Sequence, residues 1–388
     1  MLAIKGGKFL TITKGLIDGG VILIEKGKIK AIGSDLKIPD DVKVINANRK
    51  IVMPSLIDAH CHIGISEELA GQAGADYNEA TDPITPQMKA SDGIKVNADE
   101  MGLTAALRTG ITTVQVLPGS ANVLGGTGCV IKTAPKVLIN DMILKEPSGM
   151  KAAFGENPRR VYGDQKKSPQ TRMGIAAIFR EWLERTKIYM NKKEKAGDDS
   201  SKLPEYNPKL EALIPVIRGE MPLRAHAHRA DDVAMAIRIC DEYGLKMSWE
   251  HATEGHRIAE YIAKRGIPAT FGPAMMGRVK WEMRELNIAT SVKLYEAGVK
   301  FAIQTDATNS TIQYLPIIAG LAHREGLPYD EALKVITINP AEILGVSDRV
   351  GSLEKGKDAD LRILSGDPLE LKTKVEKVIL DGEIVFSR

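Results

Sequence analysis

The stretch IVMPSLIDAHCH, residues 51–62, decides how the rest of this chain reads. An apolar run ends in Asp58, His60 and His62, so a buried strand delivers polar side chains at its tip. Residues i and i+2 of a strand share a face, so the two imidazoles project together. One such pair reads either as satisfied polar residues at a strand end or as two metal ligands. Five of the seven histidines fall at the ends of three strand-like runs. These are His60 and His62, then His226 and His228 in MPLRAHAH (221–228), then His251 in LKMSWEH (245–251). Random placement gives about 0.1 His-x-His pairs in a chain of this composition, and two are present. A fourth run, KFAIQTD (300–306), ends in Asp306. Alone, that residue is as readable as a helix N-cap. Beside converging imidazoles it reads as a ligand that also carries protons, and the metal reading of the whole set prevails.

Working outward, apolar strand-like runs alternate with helical patterns from residue 51 to about 345. Further strands fall at 110–117, 149–156 and 267–273, and helical periodicity at 173–192, 231–243, 255–264, 284–297 and 328–335. Strand–helix alternation over roughly 280 residues predicts a distorted (β/α)8 TIM barrel. The first 50 residues and the last 40 differ: valine and isoleucine alternate with polar residues between glycine turns, which is antiparallel β patterning. Each end is too short to bury a core alone. The expectation is a composite β-sandwich of residues 1–50 and 346–388 beside a barrel of residues 51–345.

Composition excludes several functions. The chain has 388 residues, 43% hydrophobic and 27% charged, with a net charge of +3 from 53 basic and 50 acidic side chains. Nothing in that balance asks for nucleic acid or an anionic membrane as partner. No signal peptide or membrane span is expected from the sequence, and Cys61, Cys129 and Cys240 read as reduced thiols of a cytoplasmic protein.

Seven segments then carry a resemblance: RKIVMPSLIDAHCH, LRTGITTVQVLPGS, AHAHR, EHATEG, TDA, ITINPAEILGV and GSLEKGKDADLRIL. In this order they resemble the amidohydrolase superfamily, in particular the metal-dependent hydrolases related to imidazolonepropionase. The resemblance implies a distorted barrel with a β-sandwich built from both chain ends. Residue by residue, it implies His60, His62, His226, His251 and Asp306 as metal ligands, with no usual ligand role for His228, which is expected near the substrate. Many relatives add a bridging carboxylated lysine, or a glutamate, from a middle strand. SGMKAAFGENP offers Lys151 and Glu156; Glu156 is favoured because it lies at the strand tip and needs no modification, and Lys151 stays as the alternative bridging ligand. The cofactor is expected to be one or two divalent ions, zinc first, with iron, manganese or nickel open. The partner is a small-molecule substrate, and relatives suggest a homo-oligomer.

The chemistry follows from charge. The ion activates water, Asp306 takes its proton and returns it to the leaving nitrogen, and His251 polarises the substrate oxygen. Arg159 and Tyr162, with Arg160, are candidate substrate contacts in NPRRVYG; the glycine-rich run at 119–133 is a turn or a loop framing the substrate. Hydrolysis of a cyclic amide or a related small nitrogenous compound leads. A dinuclear dipeptidase and a deaminase are rivals, and a non-catalytic scaffold is disfavoured because all five expected ligands are present.

Overall fold

The computed structural model describes residues 1–96 and 100–388. Its centre is an eight-stranded sheet rolled into a barrel, and the strands follow chain order. We number them β1 (Leu56–Cys61), β2 (Ile111–Val116), β3 (Leu124–Lys132), β4 (Ile143–Ala153), β5 (Leu223–Ala227), β6 (Met247–His251), β7 (Ala269–Phe271) and β8 (Phe301–Ile303). β1, β2, β5 and β6 are buried along their whole length, which is why their sequences read as continuous apolar runs instead of alternating ones. Past the ends of β8 and β1, the Asp306 amide donates to His60 O at 3.1 Å and the His62 amide donates to Ala307 O. These bonds tie the last strand to the first.

β3 departs from the expected pattern. It runs antiparallel to both β2 and β4. Only residues 117–123 separate β2 from β3, and a parallel return needs a crossover of a dozen residues or more. The glycine-rich run read as a turn or loop is therefore split. Gly119, Ser120 and Ala121 face a cavity, and Leu124–Lys132 is strand.

Helices between strands start and stop where their sequences say. Thr171 caps Arg172–Ala196 by accepting from the Gly174 amide, and Asn207 caps Pro208–Ile217. Gly110 and Gly244 end their helices in the left-handed conformation. The main core lies between these helices and the barrel, with Trp249, Phe179 and Phe271 fully buried in it.

Both chain ends contribute strands to two further sheets. One has four N-terminal strands. The other joins Lys8–Leu10, Leu16–Asp18 and Ile51–Pro54 to Leu361–Leu364, Val375–Leu380 and Glu383–Ser387. Ile4, Phe9, Ile22, Val52, Leu361 and Ile379 share one core between these sheets. The three cysteines are free and buried. No helix among the described residues is long and apolar enough to cross a membrane.

Candidate metal centre and active-site cavity

All the strand-end residues singled out above arrive at the same end of the barrel. His60, His251 and Asp306 form one group of potential ligands, and His226, His228 and His251 a second, with the ligand atoms of each within 4.8 Å of one another. The His226 and His251 ring centroids lie 4.4 Å apart, and those of His60 and His251 4.9 Å. His226, His228, His251 and Asp306 line a cavity of about 470 Å³, and His60 is fully buried against them.

The orientation of each ring is fixed from behind. His60 Nδ1 lies 2.9 Å from Glu250 Oε2, His62 Nδ1 2.7 Å from Leu117 O, and His251 Nδ1 2.9 Å from Gly272 O. A carbonyl or carboxylate oxygen can only accept, so Nδ1 carries the proton in each ring and Nε2 presents a lone pair to the centre. Only Lys151 Nζ, 3.2 Å from His60 Nε2, offers one of them a donor, and that of His251 meets none among the described residues. His62 Nε2 stands 3.2 Å and His60 Nε2 3.7 Å from Asp306 Oδ1, while His251 Nε2 and Asp306 Oδ1 are buried without a hydrogen-bond partner. Acceptor faces acceptor, an arrangement whose buried polar atoms are costly unless a cation lies between them. The donor set, imidazole nitrogens with a carboxylate, fits a divalent transition ion.

Burial governs the protonation of the cluster. It lowers His60 to about 4 and His251 to about 3, and holds His226 and His228 well below their ordinary value, assisted by neighbouring cationic groups. Neutral imidazoles are what metal binding needs. Burial alone would raise Asp306, but the surrounding imidazoles outweigh it and keep the carboxyl well below the usual range. Two of these residues have strained backbones: φ is 80° at His251 and 56° at Asp306. Non-glycine residues rarely adopt such angles, at a cost of about 1–3 kcal/mol each, and they concentrate at functional sites.

The middle strand sets its two candidate bridging residues apart. β4 ends at Ala153, and Gly155, with φ of 95°, turns the chain so that Glu156 opens the helix Glu156–Asp164. A Cβ on Gly155 would fall 2.7 Å from Asp232 Oδ2 and 2.9 Å from Glu282 Oε2, so that turn needs glycine. Glu156 lines the cavity but belongs to neither ligand group. Lys151 lies within β4 with its side chain fully buried, its Nζ 3.2 Å from His60 Nε2. Burial lowers its pKa to about 8.

The remaining candidates scatter. His228 sits on the cavity wall, with Nδ1 2.8 Å from Thr253 Oγ1 and Nε2 3.2 Å from Lys280 Nζ. Arg160 lines the cavity, but Arg159 turns away to the Gln170 carbonyl. Tyr162 is buried behind the wall and donates to Asn122 Oδ1. Neither Arg159 nor Tyr162 lines the cavity.

Sequence reasoning gave no role to several neighbours. Glu250 supports His60 and also accepts from Thr270 and Ser248. Asp58, two residues before His60, takes hydrogen bonds from Thr305 and the His60 amide, and burial raises it to about 7. Its i−2 spacing from His60 was the available signal. Lys280, placed between Asn157 Oδ1 and Glu282 Oε1 at 3.1 Å each, lies in the loop after β7 and has no local sequence signal.

Comparison with known proteins follows the same lines. A sequence profile of the amidohydrolase family matches residues 217–386. The chain is 28% identical over 395 residues to an amidohydrolase of Hapsidospora irregularis, covering 95% of this chain but only 40% of that longer protein. It is 26% identical to the imidazolonepropionase of Kosmotoga olearia, over 94% of this chain and 90% of the relative. The crystal structure of an amidohydrolase from Thermotoga maritima superposes with a TM-score of 0.96 at 41% identity, covering all of both chains.

Proposed function

Starting from a chain that belongs to the amidohydrolase superfamily, and is thus a metal-dependent hydrolase of C–N bonds, we propose that it opens a cyclic amide or a related small nitrogenous compound. The observation that carries this reading is the convergence of the His60, His62 and His251 lone pairs on the Asp306 carboxylate, with only Lys151, against His60, offering them a donor among the described residues. His60, His62, His226, His251 and Asp306 would hold the ion. Lys151 in its carboxylated form, and not Glu156, would add a ligand between the two groups, because its amine lies against His60 and burial leaves part of it unprotonated at neutral pH. Zinc suits this donor set.

The bound ion supplies Lewis acidity that makes water nucleophilic near neutral pH. The chain does the rest. Asp306, ionised and in contact with the imidazoles, accepts the proton of the attacking water through a carboxylate oxygen and delivers it to the leaving nitrogen. His228 and Asn157 line the wall where the substrate carbonyl would lie, and Met276, Val279 and Met283 cover its apolar part. Tyr77 stacks beside His62 at 6.0 Å and closes one side.

A second reading, a dinuclear dipeptidase, draws support from the two ligand groups that share His251. One screen tests both. Chelator-treated protein, with and without added zinc or manganese, is offered cyclic amides, N-acyl compounds and Xaa-Pro dipeptides. Metal-dependent opening of a cyclic amide supports the leading reading. Turnover confined to dipeptides transfers the site to the second, and no turnover on any of them with metal restored removes both.

A further inference from the structure

Away from the histidines, the fold buries a cation with no counter-ion among the described residues. Arg224 and Arg362 are both buried, and neither forms an ion pair among the described residues. Arg224 is nonetheless provided for. It donates to the Ser148 and Ile343 carbonyls and to the Ser248 hydroxyl, which in turn donates to Glu250. Among the described residues Arg362 has only the Thr109 carbonyl at 3.4 Å and the Met53 sulfur at 3.2 Å, and its Nε has no partner. Burial draws its pKa down to about 9. A buried, unpaired charge costs several kcal/mol, so a guanidinium in that state needs a reason.

The surroundings supply one. Arg362 belongs to the strand Leu361–Leu364, whose alternate residues Leu361 and Ile363 enter the core of the terminal sheets. Its own side chain points the other way, under Gly110, where a Cβ would fall 2.8 Å from Arg362 Cδ. There it forms part of a groove of about 790 Å³ that shares no residue with the histidine cavity. Pro316, Ile317, Leu369 and Val375 give the groove an apolar wall. Arg108, Lys372, Lys374 and Arg388 also line it, with Glu370 as the one acid. None of these charged side chains is in an ion pair among the described residues. Five cations thus face one carboxylate around an open groove, with the most deeply buried of them unsatisfied.

We propose that this groove binds a small organic oxyanion, a phosphate or carboxylate group carried on an apolar body. Arg362 meets the anionic head from the floor, the rim cations draw it in, and Pro316 and the aliphatic side chains cover the body. Buried guanidinium groups pair well with either oxyanion, and the hydrogen bonds are charge-assisted.

Calorimetric titration of the full, metal-loaded chain with phenyl phosphate and with benzoate tests this. Saturable binding of at least one is expected, and the tighter of the two identifies the head group. Arg362→Met, a replacement that removes an unpaired buried charge and is therefore expected to fold, should weaken binding by about tenfold or more. If that variant fails to fold, the Lys372→Glu, Lys374→Glu double variant serves, with weaker binding expected there too. Asp306→Asn should bind like the parent, because the histidine cavity is separate. Absence of saturable binding of both probes overturns the proposal. So does full affinity in a folded Arg362→Met protein, or loss of binding in Asp306→Asn, which would place the anion on the metal.

Discussion

Two buried polar clusters in this molecule are built from similar side chains and end in opposite states. At the seam between the barrel and the terminal sheets, Lys132 Nζ lies 2.7 Å from Asp358 Oδ2 and 3.2 Å from Asp360 Oδ2, and it also bonds Asp381. Asp358 receives Lys28 at 2.6 Å and Arg349 at 2.7 Å as well. Here each carboxylate faces a cation supplied by the chain. At the other end of the barrel, imidazole lone pairs and a carboxylate face each other, and the nearby cation, Lys151, has lost part of its basicity to burial. The first cluster is complete as folded and holds two layers together. The second is complete only with an added ion. Burial of charge alone does not mark a functional site; the mark is acceptors converging with too few donors of their own.

The comparison can be broken at several points. The largest effect is expected at the site: Asp306→Asn should lower kcat by about 10²–10⁴ while metal content by elemental analysis stays close to the parent's. Undiminished turnover would exclude Asp306 as the proton carrier. At the seam, Lys132→Met should cost roughly 3–5 kcal/mol in denaturant unfolding, because it strands buried carboxylates. The loss should also depend on pH. Asp358 is held below 3.8 by its cationic partners, so its contribution is present above that value and fades as pH falls beneath it. Asp360 is already pushed up to about 6 by burial, against Lys132. Without the lysine both carboxyls rise, so the variant's deficit should be largest above pH 6 and shrink on acidification. A pH-independent deficit would mean that packing, and not charge, is what Lys132 supplies.

Smaller effects sharpen the contrast. Glu250→Gln removes the carboxylate that fixes the His60 tautomer and should weaken metal binding by about 10–100-fold in a competition with a chromogenic chelator, with little change in fold by circular dichroism. Smallest of all, Tyr162→Phe should cost only about 0.5–1.5 kcal/mol of stability and leave KM unchanged, since the hydroxyl bonds Asn122 behind the cavity wall. A raised KM would return Tyr162 to the substrate.

Much of this was legible from residues 51–62 outward. The barrel could be read because its buried strands are continuous apolar runs, and the histidines stood out because three such runs ended in them. What escaped had physical causes. Alternation predicts that Glu250 and His251 point to opposite faces, which hides Glu250 as a partner of His60. The left-handed φ at His251 turns that ring toward the centre as well, so both reach the cluster. Glu156 looked like a strand tip because no rule showed that Gly155 would break the strand and start a helix. β3 looked like loop because glycines that allow close strand approach also mark turns. Arg159 and Arg160 are adjacent and chemically alike, and only the helix phase separates the one that faces the cavity from the one that does not.

One titration bears most directly on the account: isothermal calorimetry of chelator-stripped protein with zinc, beside His60→Ala and His251→Ala variants shown to be folded. The parent is expected to take up zinc tightly, and each variant to lose most of that affinity. A parent that ignores zinc, manganese and iron alike, or variants that bind as well as the parent, would contradict the assignment of these lone pairs to a metal.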